Sequence, residues 1–134
     1  MKKLILTTLC VVTVAVACVL ISCAPNDGVM TKKKGVYIVN TTNLTKDVSG
    51  YNGPTPLNIY IKDDKIQKVE ALPNQETPGF FQRVQNELLD KWNGMTVKQA
   101  ASSNVDAVTG ATYSSNAVKE NVKAGINYYQ KHKK

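Results

Sequence analysis

The spacing of hydrophobic positions changes several times along this 134-residue chain, and each change marks an element. An apolar run from Leu4 to Ile21 comes first, led by Met1-Lys2-Lys3. Ala24 to Lys34 is polar and without period, which suits a linker. Val36-Tyr37-Ile38-Val39 is branched and aromatic, as in a strand, and the Asn, Thr, Asp and Gly residues up to Pro56 suit loops. Leu57, Ile59 and Ile61 then alternate with polar residues, predicting a half-buried strand. Asp63-Asp64 supplies a hairpin turn, and Lys65 to Leu72 the partner strand. The apolar phase slips between Ile66 and Val69, for which a bulge or an edge position would account. After Pro78-Gly79 the period turns helical, with Phe81, Val84, Leu88 and Trp92 at three- and four-residue spacings and Gly94 as the stop. A last helix is predicted from about Ser115 to Lys131, with Val118, Val122, Ile126 and Tyr129 on one face. The sum is a single-domain α+β fold: a small antiparallel sheet with helices packed on one side.

The first 22 residues read as a lipoprotein signal peptide, because Leu20-Ile21-Ser22-Cys23 ends the apolar run in a processing box. Cys23 would take a diacylglyceryl group and become the first residue, residues 23–34 a lipidated cysteine and polar linker, and residues 35–134 the folded domain. A spanning anchor competes, since the run approaches the ~20 residues needed to cross a bilayer. The box implies a bacterial cell-envelope protein on the periplasmic or surface side, held to the membrane by its lipid.

Residue counts narrow the chemistry. Cys10 and Cys18 lie in the signal, so no disulfide is expected, and His132 is the single histidine. Metal sites built on cysteine and histidine, and Cys-His or Ser-His-Asp nucleophiles, have too few members. Redox chemistry would require an organic cofactor. The net charge of +7 falls to about +5 once Lys2 and Lys3 are removed. That modest excess, without a basic face interleaved with aromatics, argues against nucleic acid as a partner. Lys32-Lys33-Lys34, just past the lipid, suits a solvated tether near the membrane.

The segment Asp106-Ala107-Val108-Thr109-Gly110-Ala111-Thr112-Tyr113-Ser114-Ser115 carries the candidate chemistry. Gly110 and Ala111 allow a ligand close to the backbone, and the start of the following helix favours an anion, with Thr112 at the mouth. Alternatively the segment is a plain turn, with Ser114 or Ser115 as a helix cap.

Two separated motifs resemble the FMN-binding domain of the flavin subunits of sodium-translocating NADH:quinone oxidoreductases and Rnf electron-transport complexes. One is D-x-x-[ST]-G-A-[ST], here Asp106 to Thr112; the other is E-T-P-G, here Glu76-Thr77-Pro78-Gly79. A Gly-Pro pair followed after eight residues by D-x-x-I, here Gly53-Pro54 and Asp63 to Ile66, precedes them in the family's order. The resemblance runs from about Gly35 to Tyr129. It implies that FMN is esterified through its phosphate to Thr112 by a flavin transferase that uses FAD and a divalent metal. Asp106 and Gly110 would serve partly as recognition residues, and Glu76, Thr77, Pro78 and Gly79 would lie beside the isoalloxazine ring. Thr109, Ala111, Tyr113, Ser114 and Ser115 complete the expected cofactor-binding set. Thr109 stands where many relatives have serine, and the chain is much shorter than the pump subunits.

The function expected on these grounds is electron transfer between a donor and an acceptor by a membrane-tethered flavoprotein. With no evident acid–base pair, an electron carrier is favoured over a substrate-converting enzyme. A non-redox module of the same fold, flavin-free or binding FMN reversibly, is the alternative. Glu76 would disfavour an anionic reduced flavin or cap the next helix, and Trp92 would pack in the core or stack on the flavin.

Overall fold

The computed structural model describes residues 28–134. The signal segment, the processing box and Cys23 lie outside the described residues. Among the described residues, no helix is long and apolar enough to cross a membrane.

Four antiparallel strands form one sheet in the order β1-β2-β3-β4: β1 (Met30–Lys33), β2 (Val36–Asn40), β3 (Leu57–Lys62) and β4 (Lys65–Ala71). Two-residue turns join the outer pairs. Lys34 and Gly35 (φ 50° and 80°) turn β1 into β2, while Asp63 and Asp64 (φ 52° and 59°) turn β3 into β4. Left-handed pairs of this kind match the right-handed twist of the flanking strands. The hairpin expected at Asp63-Asp64 is therefore present. The linker expected to reach Lys34 is shorter, because Met30–Lys33 pairs with Val36–Val39 as an edge strand. Lys32 to Lys34 belong to that strand and its turn, with Lys32 Nζ 4.7 Å from the centre of the Tyr37 ring. They are part of the folded domain and not of a free tether.

The phase slip in β4 is a bulge. Ile61 pairs with Ile66 but Tyr60 pairs with Lys68, so one extra residue turns both Ile66 and Val69 inward. Val39, Leu57, Ile59, Ile61, Ile66 and Val69 form the buried face of the sheet. The opposite face keeps Tyr60, whose hydroxyl donates to Glu70 at 2.8 Å.

Helices cover the buried face, as the alternation predicted. Pro78–Glu87 is α1, followed by a 3₁₀ turn at Leu89–Trp92, so the single helix expected up to Gly94 is broken near Leu88. Trp92 is 2% exposed in the core, which decides its role as packing. Val97–Ser102 is α2, an element the hydrophobic spacing did not reveal. It is fixed by a capping box: Thr96 Oγ1 accepts from Gln99 N at 3.1 Å and Gln99 Oε1 from Thr96 N at 3.0 Å. The loop before it covers the β4 edge through Ile66 N to Met95 O and Gly94 N to Ile66 O, both 2.8 Å.

The long helix α3 (Thr112–His132) crosses the sheet and is about 31 Å long at 1.5 Å per residue. It approaches closely because Gly125 faces β3: a β-carbon there would lie 2.5 Å from Ile59 Cδ1 and 3.2 Å from Thr41 Cγ2. Asn121, fully buried, ties α3 to the long β2–β3 loop. Its Oδ1 accepts from Thr41 Oγ1 and Thr45 Oγ1, each at 2.5 Å, and its Nδ2 donates to Ala117 O at 2.9 Å. Both hairpin turns and the C-terminus of α3 gather at one end of the domain. There Asp64 accepts from Tyr129 Oη (2.7 Å) and Lys133 Nζ (2.8 Å). The Lys133 ammonium and the Tyr129 hydroxyl hold the Asp64 carboxyl below the usual carboxylate range, while burial pushes the Tyr129 phenol up. The β2–β3 loop, the start of α1 and the start of α3 meet at the other end.

Candidate functional site

At that second end two local features shape the loop before α3. Gly110 adopts φ 82°, a left-handed conformation that costs glycine little. Val108 N donates to Ser115 Oγ at 3.0 Å, latching the loop to the first turn of the helix. Ser115 is fully buried in doing so. The helix begins at Thr112, three residues earlier than the spacing predicted, and Ala111 occupies the cap position without a side-chain cap. Neither Ser114 nor Ser115 caps the helix. The first intrahelical bond is Ser115 N to Ala111 O at 2.9 Å, so the N–H groups of Thr112, Tyr113 and Ser114 lack an intrahelical acceptor. Positive dipole and open N–H groups converge on the Thr112 side chain, which is exposed.

Glu76 organises the neighbouring wall. The residue is 6% exposed, and its carboxylate accepts from Asn52 N at 2.8 Å, Tyr51 N at 3.2 Å and Ser114 Oγ. A residue 38 positions away is thereby clasped to the first turn of α3, and the backbone of the β2–β3 loop is wrapped around the same carboxylate. The fit needs Gly50, where a β-carbon would stand 2.8 Å from Glu76 Oε1. The capping alternative for Glu76 does not hold: Thr77 is the cap residue of α1 and makes no side-chain cap. Thr77 Oγ1 instead accepts from Asn52 Nδ2 at 3.2 Å.

Between these walls lies an open cavity of about 300 Å³, lined by Tyr51, Glu76, Thr77, Phe80 and residues 110–114. The volume is at the small end for a ligand pocket and, with an open mouth, suits a ligand that is partly exposed. Large exposed apolar side chains converge there: Tyr51 is 74%, Tyr113 70% and Phe80 53% exposed. The Tyr51 and Tyr113 rings lie 6.3 Å apart at 50°. Exposed aromatics gathered at one opening mark a binding site for a flat apolar group.

The FMN-binding domain, as a family, matches residues 50–127. The chain belongs to that family. FMN is accordingly its cofactor, and the residues present fit the group. The three aromatic side chains offer faces for the isoalloxazine ring, and Gly110 with the start of α3 offers an anion cradle for the phosphate.

Of the residues expected from sequence, Glu76, Thr77, Gly110, Ala111, Thr112, Tyr113 and Ser114 line the cavity of the FMN-binding domain. Pro78, Gly79, Asp106, Thr109 and Ser115 do not. Pro78 starts α1 and Ser115 latches the loop. Tyr51 and Phe80 were missed. A tyrosine set between Gly50 and Gly53 was the available signal for the first; Phe80 reads as an ordinary helix residue beside Phe81. Among the described residues, no cluster of histidine, cysteine and carboxylate groups that could hold a metal ion is present.

Proposed function

We propose that this FMN-binding domain carries its flavin covalently at Thr112 and serves as a membrane-tethered electron carrier. The observation that carries the first half is the position of Thr112: an exposed hydroxyl on the first residue of α3, beside Gly110 and in the wall of the aromatic cavity. In the attachment step the pyrophosphate bond of FAD breaks, Thr112 Oγ1 bonds to the FMN phosphorus, AMP leaves, and the hydroxyl proton passes to solvent. A flavin transferase catalyses the step. Outside the cytoplasm, an ester bond makes retention of the cofactor independent of its binding constant.

Bound FMN supplies one- and two-electron redox chemistry. The chain's own residues bind and orient. Tyr51, Phe80 and Tyr113 would hold the ring, the start of α3 would receive the phosphate, and Glu76 fixes the two walls at one spacing. The exposure of the aromatic mouth supports direct electron exchange with a partner docking there, since a ring at that opening needs no conduit through the protein. The donor and acceptor are soluble or membrane-bound redox proteins of the bacterial envelope. Cys23 provides the lipid anchor in this scheme, on the strength of the Leu20 to Cys23 processing box.

The test is the intact mass of the exported domain, made with and without an active flavin transferase. The expected increment is one FMN less water, dependent on the transferase, mapped to the peptide bearing Thr112 and absent in Thr112→Val. An unmodified mass alongside a transferase that flavinylates a control substrate would overturn covalent attachment and leave a reversible FMN-binding module.

A further inference from the structure

We propose that Arg83 is the phosphate-reading residue of the site, the cation that makes the cavity prefer FMN over its phosphate-free form, riboflavin. The proposal rests on the reading of the cavity as the flavin site. Arg83 is the single arginine of a chain whose other basic residues, apart from His132, are all lysine. It lies on α1, one turn beyond the cavity-lining Phe80. A β-carbon on Gly110 would be 3.7 Å from Arg83 Nη1, so the guanidinium stands in van der Waals reach of the turn that delivers Thr112. Nη1 donates to no acceptor among the described residues. Its Nε is 3.6 Å from Glu87 Oε1, with both side chains about half exposed. An exposed i,i+4 pair of this kind is weak; it steers the guanidinium without consuming its outer donors.

The chemistry favours arginine in this role. A planar guanidinium presents parallel N–H groups that match two phosphate oxygens, and it gives up its hydration more readily than an ammonium. The N–H groups of Thr112, Tyr113 and Ser114 approach the same place from α3, and Gly110 leaves room between them. Two sets of donors, the Arg83 guanidinium on α1 and the open N–H groups at the start of α3, therefore flank the Gly110 turn. The lysines of the two hairpin turns and of the α3 C-terminus lie at the opposite end of the domain and do not compete. After esterification the phosphodiester keeps one negative charge, and Arg83 remains its counter-ion.

Reversible binding isolates the effect from the ester. In a Thr112→Val background, FMN and riboflavin are titrated separately by quenching of their fluorescence. The expected result is tighter binding of FMN than of riboflavin. Adding Arg83→Gln should weaken FMN by about 10- to 100-fold, the range for a lost charge-assisted hydrogen bond, and leave riboflavin unchanged. Arg83→Lys should recover part of the loss, and the salt dependence of FMN binding should be shallower in Arg83→Gln. An equal loss for both flavins would reduce Arg83 to a structural part of α1, and no loss for either would remove it from the site; both overturn the proposal. Were the folded Thr112→Val protein to bind neither flavin, the cavity reading itself would fall and this proposal with it.

Discussion

Glu76→Gln removes a charge and one acceptor from the residue that holds the two walls of the aromatic cavity together, while keeping its shape. Oε1 accepts from Asn52 N at 2.8 Å, and Oε2 accepts from Tyr51 N at 3.2 Å and from Ser114 Oγ. In the glutamine, the amide oxygen can keep Asn52, and the Ser114 hydroxyl can rotate to accept from Nε2. The Tyr51 N–H then faces another N–H and has no acceptor. One charge-assisted bond is lost and two become neutral. Bonds to charged groups contribute about 1.5–3 kcal/mol and neutral ones about 0.5–1.5. The loss is offset in part by the lower cost of burying an amide than a charge. The net is a destabilisation of about 2 kcal/mol. Urea unfolding followed by the fluorescence of Trp92, the single tryptophan and 2% exposed, measures it. A slope of about 1–3 kcal/mol/M makes the expected midpoint shift roughly 1 M. FMN affinity should fall as well, because the loop carrying Tyr51 loses one of its two backbone bonds to residue 76. A midpoint unchanged at equal slope, with FMN affinity retained, would refute the role assigned to Glu76.

Gly125→Ala should destabilise the domain despite the higher helix propensity of alanine. The added carbon meets Ile59 Cδ1 at 2.5 Å and Thr41 Cγ2 at 3.2 Å in a filled core. Overpacking of about 1–3 kcal/mol against a propensity gain of about 1 leaves a net loss near 1 kcal/mol, or roughly 4–6 °C in Tm; a higher Tm would contradict the close helix–sheet approach. Asp64 gives a pH-dependent test. Its carboxyl is held below the usual range by Lys133 and Tyr129, so the stabilisation is present above the ordinary carboxylate pKa of ~3.9 and disappears as the pH falls through the lower folded value. Asp64→Asn should flatten the acid limb of a Tm–pH curve, by a small amount because the pair is about half exposed; an identical limb would remove Asp64 from the acid response.

The secondary structure was legible wherever local physics decides it. Alternation fixed the inward residues of β3, the Asp63-Asp64 pair fixed its turn, and the period of three to four fixed the core faces of α1 and α3. The T-x-x-Q signal of α2 and the Lys34-Gly35 turn of β1 were also present in the sequence, but both elements are short and their apolar patterns weak. Some boundaries shifted for tertiary reasons. The start of α3 moved to Thr112 because Ser115 turns inward to hold Val108, and Ser114 turns to Glu76.

The sequence by itself determined the family, the order of the elements and the hydroxyl at Thr112, because these rest on residue identity and short-range spacing. Only the tertiary structure decided what surrounds that hydroxyl. Tyr51, Glu76, Phe80 and Ser114 belong to three separate segments. They share one end of the domain because the meander returns its β2–β3 loop there, because Gly125 lets α3 lie close against the sheet, and because one buried carboxylate collects donors from two of those segments. Contacts of that length leave no period in a sequence; they arise when packing forces distant polar groups to satisfy one another.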